Sequence, residues 1–172
     1  AYELYDAFSS TLTPLKIGVP RYPAFMDASP DGRLYNSWAS DLYLVDPITG
    51  EPTPVATLHT PTHAVNAYGL TFSPSGELWT MEYLDGTMYL LRGSAETGEL
   101  TVVATISGLP GGYPTGLEHA GDRLYATSDA TPGLLEIDPS SGVVTLVGGD
   151  AVAWDLDYGR DRVLRGTVPG AR

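Results

Sequence analysis

A phrase that returns along the chain limits what this sequence can fold into more than any other feature. Met26-Asp27-Ala28-Ser29-Pro30-Asp31-Gly32-Arg33-Leu34-Tyr35 is echoed by Leu70-Thr71-Phe72-Ser73-Pro74-Ser75-Gly76-Glu77-Leu78-Trp79. It returns one residue shorter as Leu117-Glu118-His119-Ala120-Gly121-Asp122-Arg123-Leu124-Tyr125, and in degraded form over residues 156–164. The recurring apolar position falls at Leu34, Leu78, Leu124 and Val163, in steps of 44, 46 and 39 residues. Self-similarity at such a period means stacked supersecondary units, each needing its neighbour to bury an apolar face.

Within each repeat the pattern reads as four short strands rich in Val, Leu, Thr and Tyr, with no sustained helical period. Strands are expected at Leu34 to Trp38, Leu78 to Tyr83 and Leu124 to Ser128, then at Leu42 to Val45, Met88 to Leu91 and Leu134 to Ile137. An Asp-Pro-x-x-Gly turn follows at Asp46 to Gly50 and Asp138 to Gly142. Four strands per unit at this period predict a β-propeller. The stretch Leu4 to Leu15 aligns without gaps with Leu44 to Val55, the outer half of a unit, and residues 151–168 read as an inner half. The expectation is therefore an all-β, four-bladed propeller forming a single domain over residues 1–172. Its blades are 20–60, 61–108 and 109–150, and a composite blade joins 1–19 to 151–172. Closure of this kind removes unpaired strand edges. A monomeric ring is the simplest form; two chains combining their halves into a larger ring is the alternative.

The pattern Leu-x-x-Ser-Pro-x-Gly-x-Leu-Tyr, then Leu-Tyr-x-x-Asp-Pro-x-Thr-Gly, then a Val/Thr-rich strand resembles the blades of exported bacterial propellers with NHL and YVTN repeats. The resemblance covers essentially the whole chain and implies a blade rather than an activity. Related enzymes, the gluconolactonase-like and strictosidine-synthase-like propellers, use six blades. Hemopexin-like domains share the count of four but are closed by a disulfide, which this cysteine-free chain cannot form.

Charge narrows the function classes. With 21 acidic and 9 basic residues the net charge is −12, which repels phosphate backbones and anionic lipid. Nucleic acid is thus not an expected partner. No apolar run reaches the length of a transmembrane helix. The chain opens at Ala1 rather than Met, which suggests a removed leader or tag and, with the blade resemblance, an extracellular, periplasmic or cell-surface location.

Two constellations are candidates for chemistry. Superposed repeats bring Asp27, Thr71, Glu118 and Asp157 to one position on the innermost strand. Carboxylates about 6 Å apart repel by roughly 3 kcal/mol at an effective dielectric near 20. Asp27, Glu118 and Asp157 therefore hold a hard cation such as Ca²⁺ or Mg²⁺ at the axis, cap backbone amides between blades, or face water. The second constellation is a rim of aromatics on the inter-blade loop face, Tyr22, Tyr68, Tyr113 and Trp154, suited to binding or to closing the top of the core. His59 and His63 have the spacing of a zinc helix, but Pro61 excludes a helix there. His119 replaces Phe72 and Tyr158 of other repeats and is expected to fill an aromatic slot.

No nucleophile elbow or P-loop is present, and Lys16 is the only lysine. These readings favour a non-enzymatic binding or scaffold propeller that makes protein–protein contacts through its loop face, as an accessory subunit of a larger assembly. The alternative is a divalent-metal-dependent hydrolase or lactonase with its site at the axis and His119 assisting.

Overall fold

The structure is a computed structural model. It describes residues 2–6, 11–15, 25–109, 112–130, 132–148, 155–158 and 164–167, with side chains from 25–109, 112–130 and 132–148 and that of Leu156. All its regular elements are strands: β1 (Tyr2–Asp6), β2 (Thr11–Leu15), β3 (Phe25–Ala28), β4 (Leu34–Trp38), β5 (Asp41–Val45), β6 (Pro52–Thr57), β7 (Tyr68–Phe72), β8 (Leu78–Leu84), β9 (Thr87–Gly93), β10 (Leu100–Thr105), β11 (Pro114–Ala120), β12 (Arg123–Ser128), β13 (Leu134–Ile137), β14 (Val144–Gly148), β15 (Asp155–Tyr158) and β16 (Leu164–Thr167). Three antiparallel four-stranded meanders result, β3 to β6, β7 to β10 and β11 to β14. β1 pairs with β2, and β15 with β16, as separate two-stranded sheets.

The repeated phrase forms the first strand, the tight turn and the start of the second strand of each meander. Ser29 and Ser73 open these turns, their N–H groups donating to the carbonyls of Arg33 and Glu77 at 2.9 Å. The second and third strands carry much of the core, with Leu42, Leu78, Leu90, Leu124 and Leu135 buried, and the second strands also bury polar side chains such as Asn36, Thr80 and Thr127. The fourth strands are largely exposed.

Successive sheets stack so that β7 lies beside β3 and β11, and β11 beside β15. The same three contacts join the first sheet to the second and the second to the third. On the innermost strands, a side chain at the repeated polar position accepts a backbone N–H of the next sheet. Asp27 Oδ2 takes that of Phe72 at 3.0 Å, and Thr71 Oγ1 takes that of His119 at 3.0 Å. On the second strands, Tyr35 packs on Phe72 with centroids 5.0 Å apart, and Trp79 meets His119 edge-on at 5.5 Å. At the outer edge, the chain leaving one meander pairs with the fourth strand of the next. His59 N–H donates to Gly98 O at 2.9 Å and Leu100 N–H to His59 O at 2.8 Å. Ser107 N–H donates to Gly142 O at 3.0 Å and Val144 N–H to Ser107 O at 3.1 Å.

Two apolar clusters fill the seams. One is built around Leu42, Leu58, Leu70, Leu91 and Leu100, and the other around Met81, Leu90, Leu117, Leu124 and Ile137. Among the described residues no helix is long and apolar enough to cross a membrane.

Candidate functional site

An antiparallel meander places the start of its first strand, the end of its second and the start of its third at one end of the sheet. The inter-sheet segments 58–67, 106–109 and 112–113 reach the same end. His63, Tyr68, Glu82, Tyr83, Tyr113 and Asp129 therefore share one face of the molecule, the loop face.

Tyr68 and Tyr113 meet there. Their rings stack with centroids 5.6 Å apart and planes 14° off parallel, and Tyr83 adds an edge contact to Tyr113 at 5.7 Å. Tyr113 is anchored by its N–H donating to Asp129 Oδ1 at 2.7 Å, yet remains 48% exposed. Beside it a cavity of about 360 Å³ is floored by Met88, Ile106 and Leu109 and walled by Tyr83 and Tyr113, within the size range of small-molecule sites. Tyr22 and Trp154, the other members of the expected rim, lie outside the described residues.

Asp27 and Glu118 sit at matching positions on β3 and β11. Besides Phe72 N–H, Asp27 accepts Ala28 N–H through Oδ1 at 2.6 Å. Its carboxylate therefore reaches sideways to the next sheet. The reason is geometric: inner-strand side chains alternate between the two neighbouring sheets, and the polar position shares a side with Tyr35, the residue paired opposite Asp27. Glu118 is 6% exposed. Asp157 lies on β15, with its side chain outside the described residues. Among the described residues no group of three or more His, Asp or Glu side chains is placed to hold a metal ion. For the carboxylate trio the donors are all oxygen, the type a hard cation takes.

The two loop histidines turn to different partners. His59 Nδ1 lies 2.9 Å from Thr57 O, and His63 Nε2 lies 2.9 Å from Glu82 Oε2. Glu82 was missed in the sequence, where no acid stands near the His motif. Its signal is a lone charge in the otherwise uncharged run Leu78-Trp79-Thr80-Met81-Glu82-Tyr83-Leu84. His119 fills its aromatic slot against Trp79, and burial holds its imidazole below the ordinary histidine value.

No family model and no curated protein matches the sequence. Solved structures do match. A gluconolactonase from Xanthomonas campestris superimposes with a TM-score of 0.58 at 18% identity, over 96% of this chain and 61% of that one. Streptogramin B lyase gives 0.52 at 16% identity over 96% and 54%. A catalytically inactive virginiamycin B lyase from Staphylococcus aureus, solved with quinupristin, gives 0.52 at 12% identity over 95% and 61%. The chain thus has a β-propeller-type fold, and it spans between half and two thirds of the length of these neighbours. Most neighbours named by an activity are enzymes, gluconolactonases and antibiotic lyases among them. This overturns the expectation of a non-enzymatic scaffold working through protein–protein contacts. That expectation rested on the absence of a nucleophile motif, and a site assembled from several blades leaves no such motif in one stretch of sequence.

Proposed function

We propose that this chain carries a divalent-metal-dependent hydrolase activity toward lactones, with Asp27, Glu118 and Asp157 holding Ca²⁺ at the propeller axis. The observation behind this reading is the adjacency of β3, β7, β11 and β15, which sets Asp27, Thr71, Glu118 and Asp157 at one register on neighbouring innermost strands. The gluconolactonase neighbours favour this substrate class. Oxygen-only donors suit a hard cation, which would polarise a lactone carbonyl as a Lewis acid. Tyr68 and Tyr113, with Tyr22 and Trp154 completing the rim, would present rigid aromatic faces to the ring of the substrate.

Four-bladed closure, with residues 1–19 joined to 151–172, belongs to the same proposal and is supported by the gapless alignment of the first strands with later outer strands. So does export, which cell fractionation reads.

The test is gluconolactone hydrolysis by protein purified without chelator, with its metal content measured. Activity should disappear with EDTA, return with Ca²⁺, and fall at least 100-fold in Glu118→Gln. Saturating Ca²⁺ at about 100 times its Kd should add roughly 2.7 kcal/mol of stability. Metal-free protein with full activity, or no Ca²⁺-dependent rise in Tm, overturns the reading.

A further inference from the structure

The segment His59-Thr60-Pro61-Thr62-His63 has no part in the axial site, yet it holds the most organised polar network on the loop face. Glu82 is at its root, with its side chain 4% exposed. One carboxylate oxygen accepts His63 Nε2–H at 2.9 Å and the other accepts Asn66 N–H at 3.3 Å. A buried carboxylate accepts only, so it fixes the tautomer and leaves Nδ1 as the basic nitrogen. Two hydroxyls, those of Thr60 and Thr62, lie 3.0 Å from Nδ1. Thr60 is buried, and its oxygen already accepts the N–H groups of Thr62 and His63 at 3.4 and 3.3 Å. Its own proton is directed to His63 O at 3.4 Å or to Thr62 Oγ1 at 3.1 Å, and either leaves the exposed Thr62 hydroxyl to donate to Nδ1. The result is an ordered run of hydroxyl, imidazole and buried carboxylate, each within hydrogen-bond reach of the next. Nucleophile, base and orienting group stand in this relation in covalent hydrolases on unrelated folds.

We infer that Thr62, His63 and Glu82 form an acyl-transfer relay that cleaves small uncharged esters without a metal ion, independently of the axial site. Thr62 Oγ1 attacks the ester carbonyl carbon while its proton moves to His63 Nδ1. The bond to the leaving oxygen breaks, and that oxygen takes the proton from Nδ1. Water then attacks the acyl-Thr62 carbonyl, gives its proton to Nδ1, and the carboxylic acid departs as Thr62 Oγ1 regains a proton. Glu82 touches no substrate; it is a positioning residue that also stabilises the transient imidazolium. The net charge of −12 disfavours anionic esters.

The probe is p-nitrophenyl acetate, supplied to the whole chain in EDTA. Thr62→Val, a change at an exposed position, should reduce the rate to background, and His63→Gln should reduce it roughly 100-fold or more. Glu82→Gln should lower kcat with KM unchanged, and Glu82→Asp should recover part of the loss, because the carboxylate orients the imidazole and offsets its transient charge; a purely structural role would move kcat and KM together. Mass spectrometry of quenched reactions should find acetyl on Thr62. Wild-type rates in Thr62→Val, or acetyl only elsewhere, overturn the relay. Loss of acetate hydrolysis in EDTA also overturns it, whereas loss of gluconolactone hydrolysis alone bears only on the axial proposal.

Discussion

His119 shows how one residue can carry the consequences of a repeat. Its slot belongs to Phe72 one sheet earlier, and an imidazole in that slot lies half-buried, edge-on to Trp79. Burial lowers its pKa, opposed by the Gly121 backbone and the Glu77 carboxylate. An unfolded histidine takes up a proton as pH falls through about 6.5, and the folded one resists until lower pH. The unfolded state then binds more protons, so stability falls as pH drops below about 6.5. His119→Phe should remove that contribution, and Tm measured from pH 7.5 to 5 should fall less steeply in the variant. Glycine acts by a different route at Gly98 and Gly142. Both have φ near +73°, and a Cβ at either would run into the carbonyl of Thr57 or Thr105 on the preceding sheet. Gly142→Ala should therefore cost more than the roughly 1 kcal/mol typical of an ordinary turn glycine, as read by urea denaturation.

Among the elements, the innermost strands carry the links that hold neighbouring sheets in register. Thr71 is fully buried, and its hydroxyl accepts the N–H of His119 from β11. Thr71→Val keeps the shape and strands that amide, which should cost about 1–3 kcal/mol. Thr71→Ser should recover most of the loss. A similar result at Asp27 would be complicated by its proposed metal role, so Thr71, the repeat without a carboxylate, isolates the structural contribution. The turns on the opposite face are organised by acids in another way. Asp138 accepts the Ser140 hydroxyl and the N–H groups of Ser140 and Ser141, which lowers its pKa to about 2. Asp46 is lowered by the N–H groups of Thr49 and Ile48. Depressed carboxyl pKa values stabilise above about pH 4 and lose that effect as pH falls toward the folded values. Asp138→Ala should lower Tm at pH 7 and leave it nearly unchanged at pH 2.

At the scale of the whole molecule, the proposed closure sets the two-stranded sheets β1–β2 and β15–β16 side by side. If they form one blade, cysteines placed at Glu3 and Arg165 on these pairs should cross-link within a monomer. Cross-linked dimers, or a mass of two chains by light scattering, would instead favour the larger ring formed from two copies.

Much of the fold was legible in the residues themselves. The spacing of Leu34, Leu78 and Leu124 gave strands that begin within a residue of β4, β8 and β12, because a repeat must bury the same face each time. His119 was legible too, since its slot is defined by Phe72. Asp27, Thr71, Glu118 and Asp157 do share one register, opposite Tyr35, Trp79, Tyr125 and Arg165, but where Asp27 points was not readable. Alternation along a strand states that a side chain changes sides, and only the stacking of radial sheets states what lies on each side. Glu82 stayed hidden for a related reason: it is 19 residues from His63, and their meeting depends on a loop folding back over the end of β8. Sequence periodicity thus determined the units and their internal pairing, which are local and repeat. The tertiary structure alone decided which polar groups from different units come within hydrogen-bond distance, because that depends on how one sheet is set against the next.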